Sequence, residues 1–598
     1  MSNFFKFLFA SCLGTVLALG LLFFIGIGWL SSSVASTMEE TTVAVEPNSV
    51  LELNFDHTVP EHTNNLPMPL FDPKQQRVLG LTDMVAAIRR AKDDPDIKGI
   101  FMNADAVMAG KATSATLRQA LLDFRTSRKF VVAYAHFYTQ GAYYLASAAD
   151  TVILNPVGAV DFRGYSSQVA YFKGLLDKMD VETQVFYAGQ FKSATEPFRS
   201  DRMSPQNRMQ VREYLTALNN IMMRDIAASR NIPEPELRQI ADRFDGLSAE
   251  KARRSRLVDR LAHQDEAFNL MKSLIGLGEK DKLNRVSIED YAAAKGKTGT
   301  DYSIKDKVAV VYAEGSINDG EETEAGDIYD EKYIKILRQI RKNDNIKAVV
   351  LRINSPGGSV LASENILREV QLCRQANKPV VVSMGDVAAS GGYYIACQAD
   401  SIFAEPATIT GSIGVFGIIP MLDKTMKNKL GITYDTVRTG KFSAFGSPFI
   451  AFSEEEKGLI QGRIDATYED FLHKVAKGRQ MTRDEVHQVA QGRVWSGEAA
   501  KSVGLVDEIG GLDRAIASAA RLAKLDKYRR SEYPEARSGW EQLLDRLKRK
   551  GGKTDEDVKA WLVRTELGDM YPTYQLLRDA QRQRGTIQVR LPWALEIR

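Results

Sequence analysis

At 598 residues the chain is too long for one hydrophobic core, so two or more domains are expected. Its composition, 44% apolar and 26% charged, is ordinary for a globular protein, and a formal charge of +3 with both signs interspersed gives no electrostatic case for nucleic acid as the main partner. The three cysteines, Cys12, Cys373 and Cys397, are spaced unlike a disulfide framework or a metal site.

The N-terminus carries an apolar leader. Residues 7–30 contain no charged side chain, and at roughly 1.5 Å per residue such a run is long enough to cross a hydrocarbon core of about 30 Å. Lys6 precedes the run and acidic residues begin only at Glu39, which favours a cytoplasmic N-terminus with the bulk of the chain on the other side. The alternative is a cleaved signal peptide, because residues 33–35 (Ser-Val-Ala) end in small residues. The length of the run favours an uncleaved transmembrane anchor over residues 1–45.

The middle of the chain repeats its first half at a period of about 250 residues. Residues 141–150 (GAYYLASAAD) match residues 391–400 (GGYYIACQAD), and residues 189–198 align without gaps with residues 440–449. A period this long is unsuited to a solenoid. It indicates a duplicated domain.

Each copy has an α/β pattern. Short β-branched runs at residues 307–312, 348–353 and 380–383 alternate with amphipathic stretches such as residues 363–375. Continuous apolar strands in a βαβ order are typical of a parallel sheet that is covered on both faces.

Polar stretches divide the chain. One lies near residues 296–301, and a second, at residues 546–556, is rich in Lys and Arg. We therefore predict a first repeat over residues 46–300, a second repeat over residues 301–545, and a linker with a C-terminal tail over residues 546–598.

The two copies differ at a few polar positions. Ser390 of the second copy aligns with Gln140 of the first, so this candidate nucleophile exists only once. Conversely, Lys192 of the first copy aligns with Ser443 of the second. Each copy therefore holds half of a possible site.

Ser390 precedes two glycines and an apolar segment that we predict to be a helix, where the helix dipole and free N–H groups favour a developing alkoxide. For an isolated motif, an N-cap or turn serine is the simpler interpretation. A second motif favours a catalytic role for Ser390. Residues 354–359 (Asn-Ser-Pro-Gly-Gly-Ser) occur only in the second copy, and the N–H groups of Gly357 and Gly358 can approach a substrate carbonyl without a Cβ in the way. The alternative for this motif is a plain tight turn.

A serine nucleophile needs a base. Of the six histidines, His136 is the one near a strand end, but it belongs to the copy that lacks the serine, so a Ser-His-Asp triad is disfavoured. A lysine can act as the base when burial lowers its pKa from about 10.4 towards neutrality. Phe191 and Ala194 offer apolar cover to Lys192, whereas a carboxylate of Glu196 near the amine would favour the charged lysine. For any single lysine the alternative is a solvated side chain.

The motifs together resemble the long, two-copy form of bacterial signal peptide peptidase, also called protease IV, over about residues 45–525. They stand at residues 190–198, 354–359, 385–394, 410–414 and 494–500. The resemblance implies a dyad of Ser390 and Lys192, a Ser412 hydroxyl close to the lysine, and two tandem Clp-protease and crotonase-like domains.

The resemblance also implies a serine endopeptidase that degrades cleaved signal peptides and needs neither a metal nor another cofactor. It implies a homotetramer whose bowl-shaped cavity faces the periplasm, held in the lipid of the inner membrane by one helix per chain. Two alternatives remain, an acyl-CoA-binding crotonase-like enzyme and a non-catalytic membrane scaffold. The motifs do not decide whether the dyad forms within one chain or between chains.

Overall fold

The structure is a computed structural model, and it describes residues 45–63, 78–294, 303–322 and 326–535, together with the backbone of residues 588–590. The apolar leader and the two predicted polar linkers lie outside these residues. Within them, none of the helices has both the length and the apolar character needed to span a bilayer.

The first repeat is built on a six-stranded sheet in which all strands are parallel. Its strands, in spatial order, are Arg260–Leu261, Thr151–Leu154, Phe130–Ala135, Ile97–Asn103, Ser49–Leu53 and Arg285–Ser287. The α-helices of this repeat are Leu81–Asp93, Lys111–Arg125, Gln140–Ala146, Lys173–Lys178, Glu196–Arg199, Pro205–Arg230, Glu234–Asp242, Ala249–Arg254, Gln264–Leu274 and Ile288–Ala294, with short 3₁₀ turns at Ser193–Thr195 and Asp245–Leu247.

The second repeat has an eight-stranded sheet. Its main path runs Val494–Ser496, Ile409–Gly411, Val380–Ala389, Ile346–Ser355, Lys307–Glu314 and Arg529–Tyr533, with Ser401–Ala404 and Glu508–Ile509 branching from Val380–Ala389. The strands are parallel except for the antiparallel Val494–Ser496. The helices are Asp330–Lys342, Val360–Gln375, Gly391–Ala396, Asp423–Leu430, Glu454–Arg479, Arg483–Val489, Gly497–Ser502 and Leu512–Leu522.

Both sheets are buried on two faces, as the continuous apolar strands predict. In the strand Phe130–Ala135, Val131 and Ala133 enter the larger core of the first repeat, while Val132 and Tyr134 enter a smaller core on the opposite face. The second repeat divides its strand residues between two cores in the same way.

The duplication is visible in individual hydrogen bonds. Tyr143 donates to the carbonyl of Leu257 at 2.8 Å, and the aligned Tyr393 donates to the carbonyl of Leu505 at 2.8 Å. Each bond connects the short helix after a central strand to the segment that follows a second short helix, Ala249–Arg254 or Gly497–Ser502, of the same repeat. The two copies therefore share their internal architecture as well as their sequence pattern.

A third sheet joins the two repeats. Its order is Ile328–Tyr329, Ile317–Asn318, Gly357–Ser359, Gln588–Arg590, Val415–Met421 and Glu182–Ala188. The last strand belongs to the first repeat and pairs antiparallel with Val415–Met421 of the second along its whole length. This pairing carries the segment with Lys192 onto the second repeat.

Candidate active site

Lys192 and Ser390 meet in the interior of the protein. Nζ of Lys192 lies 2.8 Å from Oγ of Ser390, although the residues are 198 positions apart and belong to different repeats. The lysine is 1% exposed and the serine is fully buried. Both groups come from the same chain, a point that the sequence motifs left open.

Ser390 occupies the N-cap position of the helix Gly391–Ala396, yet its side chain makes no capping hydrogen bond. Its backbone has φ 57° and ψ −113°, and its N–H donates to the carbonyl of Gly411 at 2.8 Å. A side-chain-bearing residue in such a conformation is strained by about 1–3 kcal/mol, and strain of this kind concentrates at functional sites. The hydroxyl is thereby kept for Lys192 instead of the helix end.

Gly391 allows a close approach between the serine and the glycine turn of residues 354–359. A Cβ atom at position 391 would lie 2.8 Å from Oγ of Ser363 and 3.0 Å from the backbone nitrogen of Gly358. Ser390 therefore lies beside the backbone N–H groups that the sequence singles out.

Gly357 and Gly358 lie in the strand Gly357–Ser359, and the structure requires glycine at both positions. Gly357 has φ +99°, and its N–H donates to Oγ of Ser355 at 3.2 Å. A Cβ at Gly358 would lie 2.0 Å from the carbonyl oxygen of Ile317. Backbone conformation at Gly357 and packing at Gly358 therefore each require glycine.

The C-terminal tail contributes a strand beside this turn. The backbone of Gln588–Arg590 runs antiparallel to Gly357–Ser359, with Val589 opposite Gly358, and Gln588 also pairs with Phe416. The tail strand therefore fills the gap between the glycine strand and Val415–Met421. The sequence offered no role for this tail, because a three-residue strand leaves no recognisable pattern.

The surroundings of Lys192 favour a neutral amine. Besides Ser390, Nζ lies 3.0 Å from the carbonyl oxygen of Ser412 and 3.1 Å from its Oγ. The ring centroid of Phe416 is 5.9 Å away. Burial lowers the pKa of Lys192 well below its ordinary value, and no charged neighbour contributes to the shift.

The Glu196 carboxylate, which would favour a charged Lys192 if it lay close to the amine, does not contribute to the pKa shift of the lysine. The Glu196 carboxylate is buried and accepts hydrogen bonds from Nδ2 of Asn207 at 2.7 Å and from the backbone N–H of Ser204 at 3.3 Å. The N-terminal end of the helix Pro205–Arg230 thus binds this carboxylate. The sequence places Glu196 only four residues from Lys192 and does not show in which direction its side chain points.

Two of the histidines, His136 and His487, make contacts away from Ser390. Nδ1 of His136 lies 3.5 Å from a carboxylate oxygen of Asp105 in an exposed pair, and Nδ1 of His487 lies 3.0 Å from the hydroxyl of Tyr468. Over the described ranges, no group of three or more His, Cys, Asp or Glu side chains is arranged to hold a metal ion.

Comparison with known proteins decides the family. The model of peptidase family S49 matches residues 123–278 and again residues 373–526, one match in each repeat and together more than half of the chain. The chain belongs to peptidase family S49. A Clp protease model also matches this S49 peptidase, over residues 301–408. The predicted duplication, α/β class and family are thereby confirmed.

Curated relatives of this S49 peptidase cover most of its length. Protease 4 of Salmonella typhi is 37% identical over 536 residues, which span 88% of this chain and 85% of the relative. Protease 4 of Haemophilus influenzae is 37% identical over 457 residues, spanning 75% and 73% of the two chains. The chloroplastic serine protease SPPA of Arabidopsis thaliana is 31% identical over 452 residues, spanning 75% and 66%. The protein is a serine peptidase.

Proposed function

We propose that this S49 peptidase cleaves peptide bonds with Ser390 as nucleophile and Lys192 as general base. The observation that carries the proposal is the 2.8 Å distance between their reacting atoms in a buried site. A neutral lysine has two N–H groups and one lone pair. The two N–H groups match the carbonyl and hydroxyl oxygens of Ser412, which leaves the lone pair for the proton of Ser390.

The dyad supports acyl transfer in two stages. Lys192 takes the proton from Ser390 as Oγ attacks the peptide carbonyl, and the resulting ammonium returns the proton to the departing amine. Water then attacks the acyl-enzyme, with Lys192 again accepting and returning one proton. The N–H groups of Gly357 and Gly358 are the proposed oxyanion donors, and because Gly357 already donates to Ser355, Gly358 is the principal one.

We infer that a substrate peptide binds as an antiparallel strand between Gly357–Ser359 and Val415–Met421. The tail strand supports this binding mode, since its backbone occupies that gap in the antiparallel direction. Main-chain pairing of this kind fixes a peptide largely independently of its side chains. It suits an enzyme that degrades signal peptides of varied sequence, the substrate class that the motif resemblance implies.

The apolar leader supports a location at the membrane. We infer a transmembrane anchor over residues 1–45, followed by the repeat with the lysine (46–300), the repeat with the serine (301–545) and the tail (546–598). The charge-free run of residues 7–30, preceded by Lys6, supports a single-pass protein of the inner membrane with its repeats on the periplasmic side. Signal peptides left in the bilayer after processing would then lie close to the enzyme.

We also infer a homotetramer, supported by the second-repeat arm, which is residues 432–449. The aligned arm of the first repeat, residues 181–198, is packed on the second repeat. Its residues Phe186 and Phe191 are each 6% exposed. In the second-repeat arm, their aligned residues Val437 and Phe442 are 98% and 40% exposed. Apolar exposure on this scale is typical of an interaction surface.

The partner that fits the second-repeat arm is the first repeat of another copy of the chain. The arm of the first repeat already pairs with Val415–Met421, and the corresponding segment of the first repeat is residues 165–171. Docking the second-repeat arm there would repeat the internal contact between chains, head to tail. Repeated head-to-tail contacts close into a ring when the rotation per subunit allows it.

Hydrolysis of a synthetic signal peptide by the full-length protein in detergent, followed by mass spectrometry, tests the enzyme assignment. Ser390→Ala and Lys192→Ala are each expected to abolish cleavage and to lose covalent labelling by a fluorophosphonate. Ser273→Ala is the control, because this exposed serine lies on the helix Gln264–Leu274, outside both the site and the second-repeat arm. Undiminished cleavage by Ser390→Ala would refute the nucleophile, and tight CoA binding would favour the acyl-CoA alternative.

A further inference from the structure

Lys192 is the central residue of a tight turn, residues 191–193, called here the lysine turn. The N–H of Ser193 donates to the carbonyl of Phe191 at 2.8 Å, and Lys192 has φ −76° and ψ 76°. These values define an inverse γ-turn. The N–H of Lys192 also donates to the carbonyl of Gly189 at 3.1 Å, and the N–H of Phe191 donates to the carbonyl of Gln491 at 2.9 Å. The direction of the lysine side chain therefore depends on contacts from outside the turn.

Gln210 supplies such contacts to both flanks of the lysine turn. Its Nε2 donates to the carbonyl of Phe191 and to Oγ of Ser193, each at 3.0 Å, and lies 3.2 Å from Oδ1 of Asn207. The side chain is 2% exposed and projects from the helix Pro205–Arg230, so it is fixed by a long, packed element.

The other end of the same amide reaches the second repeat. Oε1 of Gln210 accepts the N–H of Val494 at 3.1 Å, and Val494 pairs with Gly411, the residue directly before Ser412. One buried side chain thus connects the lysine turn to the strand beside the groups that surround Nζ.

We propose that Gln210 is the positioning residue for the base, fixing the lysine turn of the first repeat to the second repeat so that Nζ stays on Ser390. The inference rests on the proposed dyad. Without the Gln210 amide, Val494 loses an acceptor inside the protein, and the carbonyl of Phe191 and the hydroxyl of Ser193 lose a donor. The lysine turn then keeps its own short bond and the backbone N–H bonds to the carbonyls of Gly189 and Gln491. Relaxation of the turn would move Nζ off the hydroxyl and admit water to the amine.

The charged groups around the lysine turn are few and paired. Arg493 lies over the ring of Phe191 at 5.2 Å and pairs with Glu213 at 2.6 Å, while Glu196 is bound by Asn207. A displaced, hydrated Lys192 would regain a higher pKa, because burial is the cause of its depression. Since the base must be neutral, the acid limb of the kcat profile would then move to higher pH.

The test is the pH profile of kcat and KM for a fluorescence-quenched signal-peptide substrate, measured on the full-length protein with Gln210→Met and the milder Gln210→Asn. We expect kcat to fall at least tenfold for Gln210→Met with little change in KM, and the acid limb to shift upward in both variants. Gln398→Met is the matched control. Gln398 is a buried glutamine of the second repeat whose amide bonds Lys474 and Gln371 instead of the lysine turn.

The outcomes separate this inference from the proposed function. If Lys192→Ala abolishes cleavage while Gln210→Met keeps the wild-type kcat and acid limb, Gln210 does not position the base although the dyad stands. If Gln398→Met shifts the acid limb equally, the effect is one of general destabilisation and the inference fails. If Lys192→Ala remains active, the dyad itself is wrong. Should Gln210→Met not fold, Gln210→Asn with an unshifted profile decides against the inference.

Discussion

Gly492 is packed directly against Lys192. A Cβ atom on the glycine would lie 2.6 Å from Cβ of the lysine and 2.6 Å from its backbone nitrogen, and Gly492 has φ +78°. We expect Gly492→Ala to displace the lysine turn and lower kcat at least about tenfold, with a loss of about 1–3 kcal/mol in the free energy of unfolding. Peptide cleavage and urea denaturation measure the two effects.

Gly504 provides the matched control for that substitution. It has φ +80°, and the nearest atom to an added Cβ is Sδ of Met481 at 3.7 Å, an ordinary contact. Gly504→Ala therefore introduces the backbone strain without the clash, so we expect some loss of stability and a kcat within about twofold of wild type. An equal loss of kcat in both variants would show that strain, and not the contact with Lys192, is responsible.

Removal of the Lys192 amine should make the protein more stable at neutral pH. Because the folded state lowers the pKa of this lysine, the unfolded chain binds the proton more tightly between the folded pKa and 10.5, and stability rises with pH through that window. Below the window the amine is protonated in both states, and the full penalty of burying its charge is present. We expect Lys192→Met to be inactive but to raise Tm at pH 7 by a few degrees, on the order seen for single-site effects.

The pH dependence of stability shows whether the gain in Lys192→Met comes from removing the buried amine or from better packing of the methionine side chain. The stability difference between Lys192→Met and wild type should narrow as the pH approaches 10.5, where the amine is neutral in both states. Ser390→Ala, which leaves the amine buried, should retain the wild-type pH dependence. A difference that stays constant across the window would mean that the pKa of Lys192 is not depressed in the folded protein.

The duplication explains how much the sequence alone could predict. Aligned copies share their strands and helices, so the α/β architecture follows from the sequence pattern. Ser390 and Lys192, two of the polar positions at which the copies differ, are the pair that the fold brings together. The sequence also contains a pattern that could have singled out Gln210. Asn207 and Gln210 continue the stripe of Tyr214, Leu218 and Ile221 on the buried face of one helix, where amides are unusual.

Other features depend on contacts that no local pattern records. The need for glycine at Gly492 comes from Lys192, some three hundred positions away in sequence, and the direction of Glu196 comes from Asn207 on the next helix. The tail strand is three residues long and pairs with a turn more than two hundred residues earlier. Such relations follow from tertiary packing, so they emerge only when the fold is known.

Cross-linking tests the proposed contact between chains. In the third sheet Ile418 pairs with Val185. In the alignment of the two copies, Ile418 corresponds to Gln168 and Val185 to Thr436. The same pairing between chains would therefore place Gln168 of one chain opposite Thr436 of the next. Paired Cα atoms on antiparallel strands are about 4.5–5.5 Å apart, within reach of a disulfide or a short bis-maleimide. We expect the Gln168→Cys/Thr436→Cys protein to give a ladder of covalent oligomers on a denaturing gel.

Each single-cysteine variant is the control for that experiment. A head-to-tail contact joins two different surfaces, so neither Gln168→Cys nor Thr436→Cys alone should cross-link, whereas a mixture of the two should yield dimers. Cross-linking of a single variant would indicate a two-fold contact between identical surfaces. Oligomers in solution that do not cross-link in the double variant would place the interface elsewhere.

Deletion of residues 546–598 should open the substrate gap. The tail strand Gln588–Arg590 is paired with Gly357–Ser359 and Phe416, so a substrate that adds as a strand in the same gap must displace it. We expect the shortened enzyme to show a KM several-fold lower with kcat nearly unchanged, because the proposed dyad of Lys192 and Ser390 is built entirely from residues before the deletion.

A synthetic peptide of residues 584–594 should then inhibit the shortened enzyme competitively, and a scrambled peptide should not. An unchanged KM together with no inhibition would mean that the tail does not compete with substrate, and a loss of kcat would mean instead that the tail strand helps to hold the glycine turn beside the serine.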